Sequence, residues 1–141
     1  MIDFTQTYRK TQANGASKIG LVIALYEAIV ADLAGAVAAI REGNVEKRSA
    51  ELQHALTVLG YLQGTLNREQ GGGPAQELDR FYSVMRAKVM EGHMKASAPI
   101  LDSVIGHMSE ICDAWRQVDD QIRKEAVTPS ESNVSSASWT A

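Results

Sequence analysis

Four stretches of this chain carry apolar residues at helical spacing, each closed off by a short cluster of helix breakers. No stretch alternates at the two-residue period of a strand. In the first, Leu21, Val22, Leu25, Tyr26, Ile29, Val30, Leu33, Val37 and Ile40 follow a candidate N-cap, Ser17, and Gly43-Asn44 ends the run. Asn44 can cap the second helix, whose stripe is Val45, Leu52, Leu56, Leu59, Leu62 and Leu66. Lys47 stands where a capping-box Glu would sit, so the box is absent. Gly71-Gly72-Gly73-Pro74 then turns the chain, since glycine tolerates positive φ and proline suits a first helical turn. The third stripe is Leu78, Phe81, Tyr82, Met85 and Val89 over about 75–95. Ser97, with Pro99 just after it, opens the fourth, carried by Ile100, Leu101, Val104, Ile105, Met108, Ile111, Cys112, Trp115, Val118 and Ile122. Short connections make successive helices antiparallel neighbours. The expected fold is therefore all-α, an antiparallel up-down-up-down four-helix bundle over residues 16–124. It is flanked by a flexible N-terminal arm, 1–15, and a disordered Ser-rich tail, 125–141, in which Trp139 is a candidate to dock back onto the bundle.

A chain of 141 residues, 45% hydrophobic and 22% charged, has room for one such core. Its formal net charge of −3 gives no basic footprint for nucleic acid. The single cysteine, Cys112, supports neither an internal disulfide nor a cysteine-based zinc site, and a reducing cytoplasm is the expected compartment. No signal-peptide core opens the chain, so membrane insertion is not expected.

The polar residues nominate no catalytic constellation. Glu51 and His54 have the E-x-x-H spacing of di-iron bundles, but the matching carboxylates and second E-x-x-H are missing from the other helices. His54 lies nearly opposite Leu52 on the wheel and is expected in solvent. His93 and His107 are isolated, and Cys112 falls on an apolar stripe as a small hydrophobe. The glycine run lacks the Lys-Ser or Lys-Thr of a phosphate loop. No enzyme activity, cofactor or metal is expected.

Several residues fall off the core faces instead. The wheel leaves Val58 and Leu62 on one flank of the second helix and Tyr61 largely outside it. Gly60 and Gly64 stand four apart on the opposite flank, each costing about 1 kcal/mol against alanine. They serve either close packing within the bundle or approach by a partner backbone. On the third helix Met90 and Met94, flexible and polarizable, lie away from its core stripe. Together with Tyr61 they are expected to line an elongated apolar groove for an amphipathic or extended segment. Ala24, Ala28, Ala31, Gly35 and Ala38 leave the back of the first helix bare, a face able to accept a further helix.

The pattern resembles the FliS family of flagellar secretion chaperones over about residues 8–118. Ala16, Ser17, Leu21, Leu25, Tyr26 and Glu27 are in register with that family's opening ASP-x-x-L-x-x-M-L-Y-D, with Lys18, Ala24 and Ala28 as departures. Leu62 to Asn67 is similar to its L-x-x-x-L-N, Phe81-Tyr82 to its Leu-Tyr, and Trp115 to its fourth-helix tryptophan. Glu91-Gly92-His93 replaces a typical Glu-Ala-Asn. The resemblance implies a non-enzymatic cytoplasmic chaperone for the disordered C-terminal segment of flagellin. It would prevent premature polymerisation and deliver its client to the type III export apparatus, with the export gate as a further partner. Tyr8 matches an arm tyrosine that can cover the client surface. The candidate client-binding residues are thus Tyr8, Val58, Tyr61, Leu62, Thr65, Met90 and Met94. The chain is expected as a monomer or weak homodimer, and a structural or dimerising adaptor for another client is the alternative.

Overall fold

The computed structural model describes the backbone of residues 18–69 and 72–140, with side chains for 18–66 and 72–125. Four helices make up the fold: α1, Lys18–Glu42; α2, Val45–Glu69; α3, Gly73–Lys95; and α4, Ala98–Thr140. Packing is that of a square. α1 lies against α2 and α4, α3 lies against the same two, and α1 and α3 face each other across the diagonal. This is the expected all-α four-helix bundle. Tyr8, Ser17 and the arm lie outside the described residues, as does the side chain of Trp139. The expected tail from 125 also falls almost wholly beyond the described side chains, while the backbone helix assignment continues through it.

Two of the turns share one construction. At the end of α1, Asn44 N–H donates to Ala39 C=O (2.8 Å) and Gly43 N–H to Ile40 C=O (3.1 Å). This is a Schellman closure with Gly43 at φ 71°. The next residue serves the following helix, because Asn44 Oδ1 accepts from Lys47 N–H at 3.0 Å. The α3–α4 turn repeats the scheme. Ser97 N–H reaches Gly92 C=O (2.9 Å), Ala96 N–H reaches His93 C=O (3.2 Å), and Ser97 Oγ caps Ile100 N–H at 3.3 Å. Here the left-handed position is held by Ala96, at φ 48°, where a side chain is disfavoured. Before α3, Gly72 takes φ 136°, a region open to glycine, and Pro74 follows in the first turn.

The core is built from the expected stripes. Leu25, Tyr26, Ile29, Leu33 and Val37 of α1 meet Leu52, Ala55, Val58, Leu59 and Leu62 of α2, Tyr82, Met85 and Val89 of α3, and Leu101, Val104, Met108 and Cys112 of α4. The α4 stripe runs out before its expected end, since Val118 and Ile122 are exposed. At the centre, the Tyr26 and Tyr82 hydroxyls hydrogen-bond across the diagonal at 2.7 Å, their rings edge-on with centroids 6.2 Å apart. Burial pushes both phenols above their ordinary range. The buried indole N–H of Trp115 approaches the Tyr26 hydroxyl without completing a hydrogen bond among the described residues. Removing one hydroxyl strands the other, so Tyr82→Phe should cost about 1–3 kcal/mol, whereas Tyr26→Phe with Tyr82→Phe should cost less than the two single changes summed. Urea denaturation of the three variants measures this; additive losses would show that the pair is not coupled.

α3 and α4 approach closely because of Gly92. A Cβ placed there would stand 2.7 Å from Leu101 Cδ2 and 3.0 Å from its Cγ, so the fully buried Leu101 would have to shift. Gly92→Ala should therefore destabilise by about 1–3 kcal/mol despite alanine's better helix propensity. Ala96→Gly, four residues on, should stabilise by about 1 kcal/mol by relieving the left-handed strain. Thermal denaturation should move the two midpoints in opposite directions.

Candidate functional site

Polar ties define the seam between α2 and α3. The Gln63 amide donates to Ser83 Oγ (2.7 Å) and to Asp79 Oδ1 (2.9 Å), and Gln63 Oε1 accepts from Arg86 Nη1 at 3.0 Å. Further along, Arg48 Nε donates to His93 Nδ1 at 3.3 Å. These contacts fix which flank of α2 looks toward α3, and Leu56, Gly60 and Gly64 share that flank at one-turn spacing. Leu56 is half-buried against the core. Among the described residues an added Cβ at either glycine would meet nothing within 4 Å, so neither is needed for close packing against another described helix. On the other side of the seam Met90, one turn after Arg86, is 46% exposed, and Met94, a further turn on, is 79% exposed. Met90 and Met94 lie toward the Arg48–His93 end of the α2–α3 seam and Gly60 and Gly64 toward the Gln63 end, with Leu56 between them on α2.

The remaining candidates are distributed differently. Val58 is 0% exposed and Leu62 is 5%, so both are core residues and present nothing to a client, contrary to their placement on a flank. The reason is the width of the buried arc of α2, which must cover α1 on one side and α3 on the other. Tyr61, expected largely outside the core, is half-buried and packs against it. It follows His54 by two turns, which puts it on the α1 edge. Thr65 turns its hydroxyl back to the Tyr61 carbonyl at 2.9 Å. Tyr61 and Thr65 thus form a patch on the α1–α2 edge and share no groove with Met90 and Met94. Tyr8 lies outside the described residues.

His54 also departs from expectation. It is 8% exposed and pairs through Nδ1 with Asp32 Oδ2 on α1, itself buried. Glu51 joins them, its carboxylate lying over Gly35 with Cδ 3.0 Å from where a Cβ would stand. Gly35 therefore belongs to the α1–α2 seam and not to the bare back of α1. The sequence carried a signal for this pair: Asp32 is the sole charge of α1 between Glu27 and Arg41, and it sits beside Ile29 and Leu33 on the core side. Burial raises the Asp32 carboxyl pKa, with His54 opposing and Glu51 reinforcing the shift. A raised carboxylate pKa favours folding below the unfolded value of about 3.9 and loses that contribution as pH rises through the folded value. Asp32→Asn should therefore gain in melting temperature relative to the parent as pH increases from about 4 to 8. A parent that gains on the variant over that range would mean that the His54 contact dominates.

Among the described residues no group of three or more His, Cys, Asp or Glu side chains is placed to hold a metal ion. Cys112 is buried and its thiol pKa is raised, mainly by burial, which disfavours the reactive thiolate. The sequence model of the family described as Flagellar protein FliS matches residues 1–122. The chain belongs to the FliS family. It is 31% identical over 117 residues to the flagellar secretion chaperone FliS of Vibrio cholerae, covering 80% of this chain and 86% of that protein. Identity is 26% over 115 residues to the flagellar secretion chaperone FliSB of Pseudomonas aeruginosa, covering 82% and 91%. With the flagellar secretion chaperone FliS of Salmonella typhimurium it is 24% over 116 residues, covering 82% and 86%. The FliS-like residues Tyr26, Tyr82 and Trp115 all converge at the bundle centre, so this part of the family pattern specifies packing. The strip of Leu56, Gly60, Gly64, Met90 and Met94 lies elsewhere.

Proposed function

We propose that this chain is a cytoplasmic, non-enzymatic export chaperone that holds the C-terminal segment of flagellin, keeps it from polymerising and delivers it to the flagellar type III export apparatus. Family membership supports the class of function, and the α2–α3 strip supports the mode of binding. The observation that carries the reading is the exposed pair Met90 and Met94 on α3, with Leu56 and then the open Gly60 and Gly64 further along the same α2–α3 seam. Each glycine weakens α2 by about 1 kcal/mol relative to alanine, and among the described residues the bundle gains no close contact in return. Such positions suit a segment that must lie close to the α2 backbone. Methionines further along the seam adapt to varied apolar side chains.

Capture of this kind needs no nucleotide. A disordered segment loses conformational entropy when held, and burial of its apolar residues along the strip offsets that loss. The Tyr61–Thr65 patch on the α1–α2 edge gives the same segment a second foothold if it wraps around α2.

Titration calorimetry against the host flagellin's C-terminal segment tests the reading. Gly60→Gln and Gly64→Gln should leave helicity and melting temperature equal or improved, because glutamine is the better helix former and space is open. Affinity should fall at least about tenfold, near 1.4 kcal/mol. Tyr61→Ala should weaken binding while leaving helicity intact, which reports on the second foothold. Wild-type affinity in both glycine variants would sink the strip as the client site, and no binding by the parent would sink flagellin as the client.

A further inference from the structure

Three titratable side chains meet on the α1–α2 seam, and client capture on α2–α3 does not account for them. Asp32 and Gly35 stand one turn apart on α1, Glu51 and His54 one turn apart on α2, and the two pairs oppose each other. His54 Nδ1 pairs with Asp32 Oδ2, and each of the two residues is 8% exposed. Glu51 fills the other position, its Cδ 3.0 Å and its carboxyl oxygens 3.2 Å from where a Gly35 Cβ would stand. Gly35 thus leaves room for a second acid beside Asp32, an arrangement that two like charges oppose.

Counting protons shows what holds the cluster together. A neutral imidazole brings its own Nδ1 proton to Asp32 Oδ2, so that contact is complete. Between Asp32 and Glu51 neither carboxylate can donate, and a hydrogen bond there requires one added proton. Burial, first of all, raises the Asp32 carboxyl pKa; His54 opposes the rise, while the Glu51 charge and a carboxyl–carboxyl hydrogen bond reinforce it. The two acids therefore titrate as a pair. The surrounding charges are engaged or turned away. Lys47 is exposed one turn before Glu51, Arg48 donates to His93 of α3, and Arg116 of α4 is held by Glu27 and Asp113. Between Glu27 and Arg41, Asp32 is the sole charge of α1.

We propose that Asp32, Glu51 and His54 form a proton-operated latch on the α1–α2 seam. With one proton shared between the two carboxyls the helices are clasped. When that proton leaves to solvent, two carboxylates face each other beside buried surface and the seam loosens. His54 orients Asp32 through Oδ2 and leaves Oδ1 for Glu51. The latch contributes fully below the unfolded carboxyl value of about 3.9 and is lost as pH rises through the folded value. Its loosening reaches a contact surface, because Tyr61 follows His54 by two turns, about 10 Å along the same edge of α2. That coupling rests on the Tyr61–Thr65 foothold proposed above, whereas the latch itself does not.

Hydrogen exchange of the full chain from pH 6 to 9, corrected for intrinsic rates, tests the latch without a client. Protection of α1 and α2 amides around the cluster should fall at least threefold relative to that of α3 and α4. Glu51→Gln, whose amide donates to Asp32 at every pH, should abolish that difference with circular dichroism unchanged. Asp32→Asn, donating to Glu51 instead, should do the same and serves if the first variant misfolds. Calorimetry against the flagellin C-terminal segment then adds the client. Parent affinity should be at least about threefold lower at pH 8.5 than at 6.5, and the difference should vanish in Glu51→Gln and in Tyr61→Ala. Seam protection that ignores pH, or that keeps its pH dependence in both amide variants, would overturn the latch. Affinity that ignores pH while seam protection follows it would overturn the coupling to the foothold. A segment that binds the parent at neither pH would count against flagellin as the client, with the exchange result still deciding the latch.

Discussion

The contact between the Tyr26 and Tyr82 hydroxyls joins the two helices that share no packed face. In a square bundle the sides are held by apolar stripes, and a stripe of leucines and valines tolerates small rotations of a helix about its axis. A hydrogen bond across the diagonal tolerates much less, because it fixes the rotation of α1 and α3 together and both hydroxyls are buried. Once those rotations are set, α2 and α4 have one way to fill the remaining corners. The orientation of the surface follows from that. Met90 and Met94 point outward because Tyr82, Met85 and Val89 point inward, and Ala31 and Ala34 are exposed because Tyr26 and Ile29 are not.

This arrangement separates what identifies the family from what could meet a partner. Tyr26, Tyr82 and Trp115 resemble FliS positions and gather at one point in the core, where they set geometry. Exposed apolar residues, Met90 and Met94 on α3 and the alanines of α1 among them, lie outside that set. A bundle can hold its frame while its faces vary, since a surface methionine costs the core nothing.

Much of the fold was legible in the sequence because helical periodicity and turn chemistry are local. Gly43-Asn44, Pro74 and Ser97 mark turns through their own backbones and side chains, and the apolar stripes name most of the buried residues. The failures came where a neighbouring helix widened the buried arc. His54 reads as solvated on a wheel drawn for α2 alone, and only the arrival of Asp32 from α1 buries it with a partner. Val58 and Leu62 were placed on a flank for the same reason. Tyr61 and the methionine pair were assigned to one groove because both lie off their own stripes, and nothing in either helix says which neighbour each edge will face.

The glycines bring these levels together, since those at the helix ends and inside the helices answer to several causes. Gly43 and Gly72 are required by backbone conformation, at φ 71° and 136°. Gly92 is required by packing, with Leu101 filling the space a side chain would need, and Gly35 accommodates the Glu51 carboxylate. Gly60 and Gly64 have neither reason: their backbone is helical and their surroundings are open among the described residues. Gly106 on α4 is open in the same way, so an open helical glycine marks a site only where other features join it, and on α2 the α3-facing flank supplies Leu56 along the same edge.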